Sequence, residues 1–451
     1  MKNKKYLSAG RQLAGAALTG FSLQAAADTA LPAPAAPGSF QKPAWLTDLS
    51  LSARETYDDN VLLVSGEGPM KIQSSLVTMT AGKAGFNFAP LLGGDSRFQT
   101  LSFVYAPEAD FYHNAPDESY DAHRVNDLIK GQTGAFSYSL DNAFSYVDGS
   151  ETAPTYAGLD KYRSGFASVV PKERRKQIQE RTKAVLQYDL GACFVRPTAS
   201  LLYYDMMTIL SPAAGYQNYP SRADVNGGVD FGYRLEQDLA VTLGYRYGHQ
   251  YQQQLAYNID ATRLASGSDY QRVLLGLEGK PWHWLTLAAL AGPDFRNYDS
   301  TAAVADKNEV TYYAEASATA ELTDKDSLSG KYKQWRFVAY TGRLPYFDSN
   351  YELAWHHQLT RQLAFDLTGR IAAYDFTCAS DPVKGSNLRN DYLYSIAPGL
   401  TYAVTSNLSV TASGSIDFAR NAQDNLSPAT GGASQREFDH NLASVGATYK
   451  F

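Results

Sequence analysis

Leu408-Ser409-Val410-Thr411-Ala412-Ser413-Gly414-Ser415-Ile416-Asp417-Phe418 alternates without a break, with apolar or small residues at even positions and hydroxyl or acidic ones at odd positions. Successive strand side chains point to opposite faces, so this reads as a β-strand with one apolar and one polar face. The same period recurs where Leu363, Phe365, Leu367, Gly369 and Ile371 alternate with Ala364, Asp366, Thr368 and Arg370. It recurs again where Leu239, Val241, Leu243, Tyr245 and Tyr247 alternate with Thr242, Gly244 and Arg246. Such strands run roughly 10–15 residues, about twice the usual globular length of 5–6. Long alternating strands suit a membrane crossing of about 9–11 tilted residues.

Working outward, short turns begin near residues 91, 131, 191, 235, 281, 323, 360 and 405, a spacing of about 45 residues. Three share a form in which an aliphatic residue precedes Thr: Leu322-Thr323, Leu359-Thr360 and Val404-Thr405. Longer polar segments alternate with them near 58–72, 113–121, 149–177, 207–220, 253–268, 299–308, 342–348, 378–388 and 421–435. Eight short turns and nine long loops predict 18 strands. An even strand number, with short turns at one end and long loops at the other, is the layout of a bacterial transmembrane antiparallel β-barrel with periplasmic turns and termini. A propeller blade also spans roughly 40–45 residues, but must fit four short strands where each period here holds two long ones.

The remaining composition fits. The 451 residues are only 19% charged and their mean hydropathy is −0.34; no apolar run of about 18 residues follows the N-terminus, so spanning helices are excluded. Lys2, Lys4, Lys5 and Arg11 precede an apolar stretch from Leu13 to Leu23 and then Ala25-Ala26-Ala27, which predicts a secretory signal peptide over 1–27. Residues 28–44 form an Ala/Pro-rich periplasmic lead-in, and 45–451 form the barrel. Removing the four basic side chains of 1–27 takes the formal charge from −6 to −10, which argues against a nucleic-acid partner. Cys193 and Cys378 fall at opposite ends of this layout and are expected to be unpaired thiols.

The chain ends Ser444-Val445-Gly446-Ala447-Thr448-Tyr449-Lys450-Phe451. Ser444, Gly446, Tyr449 and Phe451 resemble the assembly signal on the final strand of bacterial outer-membrane barrels, which implies the barrel assembly machinery as a partner. Leu49 to Val61, with Arg54-Glu55-Thr56-Tyr57-Asp58-Asp59-Asn60 at its exit, Ala122 to Asn126, and Phe144 to Gly149 are similar to segments of the β-barrel porin type 2 family. That resemblance implies the outer membrane of a Gram-negative bacterium, a barrel and a pore-like role, without naming a solute.

Closure then divides the faces. Phe103, Phe136, Leu186, Phe231, Leu243, Tyr312, Leu353, Ile396, Leu400, Val410, Ile416 and Val445 are expected to meet lipid and lipopolysaccharide, with Trp45, Trp282, Trp284, Tyr402 and Tyr449 in the interfacial girdles. Glu108, Asp110, Arg181, Lys183, Asp230, Arg234, Arg246, Arg272, Glu315, Lys331, Lys333, Asp366, Arg370 and Asp417, together with Asp224, are expected to line the lumen. Charges of both signs facing inward indicate a wet channel, and barrels of 16–18 strands leave one. The competing reading is a lumen plugged by loops or paired charges. A homo-oligomer is compatible with the pattern, although the alternation marks no subunit face.

The longest loop, Gly149 to Lys176, is the third of the long ones, the position that folds inward in general porins. Its Asp160, Lys161, Arg163, Lys172, Arg174 and Arg175 are the expected constriction residues, against a solvated loop as the alternative. No Gly-x-Ser-x-Gly elbow, Walker sequence or spaced Cys/His set occurs, so no enzyme, cofactor or metal is expected. Adjacent His356 and His357 would face opposite sides. Asp58-Asp59-Asn60 reads as an Asx turn in preference to a cation site. The sequence therefore points to an outer-membrane channel for passive diffusion of small hydrophilic solutes, or else to a plugged barrel serving adhesion or exopolysaccharide export.

Overall fold

The structure is a computed structural model that describes residues 42–65, 71–93, 97–149, 174–207, 220–253, 255–256, 263–264, 266–300, 302, 304, 306–338, 345–375, 380–381, 385–386, 389–424 and 437–451. The expected signal peptide, most of the lead-in, Cys378, and Asp160, Lys161, Arg163 and Lys172 lie outside the described residues.

Eighteen long strands follow one another. They are β1 Leu46–Asp58, β2 Ser75–Asn87, β3 Phe98–Tyr112, β4 Tyr120–Thr133, β5 Phe136–Asp148 and β6 Gln177–Leu190. Next come β7 Cys193–Asp205, β8 Arg222–Glu236, β9 Leu239–Gln252, β10 Ser268–Trp282, β11 Leu285–Tyr298 and β12 Asn308–Glu321. Last are β13 Asp326–Phe337, β14 Tyr346–Gln358, β15 Leu363–Asp375, β16 Arg389–Ala403, β17 Leu408–Asp424 and β18 Phe438–Lys450. Each pairs antiparallel with its sequence neighbours, and β18 returns to β1 from Ser50↔Lys450 to Asp58↔Leu442, closing the barrel.

The short turns sit at the end that carries Leu46 and Lys450. Gly134 (φ 58°) and Gly191 (φ 79°) supply the positive φ that two-residue hairpin turns need. The aliphatic-Thr turns have a local cause. Thr360 Oγ1 accepts from the backbone N–H groups of Gln362 (3.2 Å) and Leu363 (3.1 Å), and Thr405 Oγ1 does the same for Asn407 (3.2 Å) and Leu408 (3.0 Å). One boundary differs from the sequence reading, which takes Gly191 to Pro197 as a single turn. The turn near 191 is only Gly191-Ala192, and Pro197 sits inside β7 with its ring on the outside, where the strand is most exposed.

The outward face is apolar. Leu275 is 69% exposed and Tyr312 70%, an arrangement only lipid relieves. Trp282 and Trp284 stack at 5.7 Å at the short-turn end, where Tyr449 and Phe451 also meet edge-on at 5.0 Å. Phe111, Tyr57 and Tyr251 are exposed toward the long-loop end. An even, closed antiparallel barrel with an apolar outside, aromatic ends and charges within is an outer-membrane β-barrel.

Candidate functional site

The candidate site is the lumen, where strand parity directs the charged residues. The fourteen candidates fall on the inward parity of their strands, but they do not share one environment.

On β7–β12, and at Lys333 of β13, they are packed, except Arg234, whose side chain is 25% exposed. Arg196 forms a fork with Glu278 and lies 3.9 Å from Asp230, which Arg246 meets at 2.7 Å. Arg234 pairs with Asp189 near the short-turn end. Asp294, fully buried, accepts from Arg272 Nε and Arg296 Nη2, each at 2.9 Å. Tyr270 donates to Asp224 (2.8 Å), and Arg272 lies 4.0 Å over the Tyr270 ring. Glu315 accepts from Tyr313 (2.6 Å), and Lys333 sits 3.9 Å over Trp335.

The long-loop end of this network is met by the far end of the β13–β14 pair. β13 pairs with β12 only as far as Gln334↔Ala314, leaving Asn308 to Tyr313 of β12 without a β13 partner, yet it stays paired with β14 out to Phe337↔Tyr346. The freed tip turns inward. Trp335, Arg336, Phe337, Val338 and Tyr346 are all buried, and Trp335 stacks on Phe337 at 4.1 Å. The walls donate to the tip's backbone: Arg222 to the Val338 carbonyl (2.7 Å), and Gln250 (3.0 Å) and Arg296 (2.9 Å) to that of Arg336. Arg336 in turn donates to the Tyr298 hydroxyl (3.2 Å) and meets Glu309 (3.2 Å). Leu202 of β7 and Leu274 of β10 pack on the same cluster, so the tip reaches six strands around the wall. Burying each such aromatic or aliphatic side chain contributes about 1.5–3 kcal/mol.

On β3–β6 and β13–β15 the basic lumen side chains stay part-exposed, while Asp110 and the Glu352 side chain are largely covered. Arg124 meets Glu108 at 3.2 Å with its side chain 37% exposed, and Arg181 meets Asp141 at 3.4 Å with side chains 29% and 39% exposed. Lys183 is exposed. Lys331 (2.8 Å) and Arg370 (3.0 Å) converge on Glu352. His356 meets Asp366 at 2.7 Å inside, and His357 meets Asp326 at 2.6 Å outside, so the two imidazoles do face apart. Toward the loops, His440 bridges Asp417 (3.1 Å) and Asp58 (3.2 Å), and Asp110 is buried nearby.

The loop candidates resolve in part. Arg174 and Arg175 are buried; Arg174 pairs with Glu118 and donates to the Val61 carbonyl, fastening the end of the third loop to the first two. Among the described residues the β13–β14 tip is an inward segment that the sequence reading did not anticipate, and the third-loop candidates Asp160, Lys161, Arg163 and Lys172 lie outside the described residues. Asp58 Oδ1 accepts from the Asn60 N–H (2.9 Å), which is the Asx turn, and among the described residues no group of three His, Cys, Asp or Glu could hold a metal. Cys193 is exposed and free. In the terminal strand, Ser444 bonds Thr56 across the seam at 2.9 Å, Tyr449 and Phe451 face out, and Gly446 packs so closely that an added Cβ would meet the Ala53 carbonyl at 2.9 Å.

No family model and no curated protein matches the chain. Solved barrels are similar to it in fold at low identity. OccK2 (OpdF) of Pseudomonas aeruginosa, solved in complex with glucuronate, is 10% identical with a TM-score of 0.41, over 90% of this chain and 98% of that one. OccAB2 of Acinetobacter baumannii is 11% identical with a TM-score of 0.39, over 90% and 98%. The FrpB iron transporter of Neisseria meningitidis is 11% identical with a TM-score of 0.39, over 90% and 82%.

Proposed function

We propose that the protein is an outer-membrane channel for passive diffusion of small hydrophilic solutes, exported by residues 1–27, folded by the barrel assembly machinery, and set with short turns and both termini in the periplasm. The supporting observation is the wet sector. Arg124, Arg181, Lys183, Lys331 and Arg370 face inward and remain solvated, whereas an isolated dry charge would cost several kcal/mol. A solute would pass along β3–β6 and β13–β15, beside the tip that fills the opposite sector. Water and charges of both signs there suit a polar, hydrated cargo. The lumen residues act by field and width.

The packed tip favours a second reading, a plugged barrel serving adhesion or exopolysaccharide export. Planar-bilayer recording of the refolded protein separates the two. The channel reading expects discrete conductance steps in wild type. No conductance from a barrel that keeps heat-modifiable gel mobility would sink it and leave the plugged reading.

A further inference from the structure

Among the described residues the outer wall carries a polar row at mid-height that lipid does not explain. Asp127 of β4, Asn142 of β5 and Thr182 of β6 are paired side by side, and all three point outward. Their parity is that of Phe103 and Leu186, exposed on the outer surface, and opposite to that of Arg181 and Asp141, which meet inside. They are bonded to one another: Asn142 Nδ2 donates to Asp127 (3.3 Å), and the Thr182 hydroxyl lies 2.8 Å from Asn142 Oδ1 and 3.3 Å from Glu180.

Their height matters. The row of paired residues through the cluster starts at Leu46 and Phe86 near the short-turn end and continues past Leu201 and Val225 toward the long loops. The cluster therefore stands midway up the wall, where hydrocarbon offers neither donor nor acceptor and outward charge is most costly. Polar groups at that depth mark a function by default.

We infer that this face is an interface with a second copy of the chain. The occupant follows from the chemistry of the patch. After the internal bonds, Asn142 keeps a second amide hydrogen and Asp127 a second carboxylate oxygen. A two-fold axis through the row sets each amide against the other copy's Asp127 carboxylate, so the Asp127–Asn142 pair satisfies itself reciprocally, as an isologous interface requires, while Glu180 stands nearer the long loops. A cationic partner would answer the carboxylates and leave the amide hydrogen dry. Phe103 and Leu201 flank the row and would pack around these bonds.

Cross-linking tests it. In a chain with Cys193→Ser and Cys378→Ser, Leu140→Cys, two residues along β5 on the same outward face, is oxidised in native outer membranes and compared with Leu353→Cys, which is exposed on β14, nine strands away. The inference expects a dimer-sized, reductant-sensitive band for L140C and none for L353C. Absence of that band, equal linking from both positions, or linking to a different protein would overturn it. As a second measurement, D127L/N142L/T182V should keep heat-modifiable mobility and elute from detergent at half the wild-type protein mass. A variant that still elutes with the wild type would also overturn the inference, and a variant that fails to fold leaves the cross-link as the decision. Conductance enters neither readout, so failure here and failure of the channel reading are distinguishable.

Discussion

The two sides of the lumen are built from the same side chains on the same parity, yet their charges stand in different conditions. Under the β13–β14 tip, the Arg296 and Asp294 side chains are fully buried and Arg272 is 5% exposed. On β4–β6, Arg124 is 37% exposed and Asp141 39%. The difference lies in a segment that comes from elsewhere in the chain. Inward-pointing charge means a water path only where nothing covers it. Where the tip does, the same charges become the hydrogen-bonding bed that holds a constriction in place.

Removing the cover should give the largest effect. Replacing residues 336–345 by a short turn is expected to raise single-channel conductance severalfold, since a tip that reaches from β13 to β7 leaves the lumen while the wall pairing up to Gln334 remains. Unchanged conductance in a folded variant would show that the tip does not limit the path, and the contrast between sectors would lose its functional meaning.

The same contrast separates two aspartates by stability. Asp294→Ala leaves Arg272 and Arg296 buried without their shared acceptor, and breaking a buried pair in this way costs about 3–5 kcal/mol. Asp141→Ala removes the partner of a solvated Arg181, where the median cost is about 0–1 kcal/mol. Urea unfolding of the refolded barrels in detergent measures both. Similar losses at the two positions would mean the sectors do not differ in dielectric environment.

Much of the barrel was legible in advance, because strand period and turn chemistry are local. The Leu408–Phe418 alternation, the aliphatic-Thr turns and the terminal Phe451 specify strand, hairpin and closing edge from residues a few positions apart. The tip was not legible. Trp335-Arg336-Phe337-Val338 reads like any strand end, and its burial depends on Arg222, Gln250 and Arg296, which are brought within reach only by closure. The outward polar cluster had a signal that went unread. Asp127 alternates in register with Val125 and Ile129, so parity alone places a carboxylate on the lipid side. Of the paired charges in the other sector the sequence reading names Glu108, Arg181, Lys331, Asp366 and Arg370 but not their partners Arg124, Asp141 and Glu352, because pairing and solvation depend on what the barrel brings opposite.

Ion selectivity gives the smallest effect and the finest test of the comparison. Lys183 is exposed on the inner face of β6, so its ammonium contributes directly to the potential a passing ion meets. Lys183→Glu is expected to move the reversal potential in a salt gradient toward cation preference. Glu315→Gln also changes charge on the inner wall, but this carboxylate accepts from Tyr313 beneath the Trp335 cluster, away from the water path, so it should leave the reversal potential near that of the wild type. The difference should be largest at low salt and fade toward 1 M, where the Debye length falls from about 10 Å at 0.1 M to about 3 Å. Equal shifts from both variants would place the ion path through both sectors, and no shift from Lys183→Glu would remove it from the sector where the solvated charges lie.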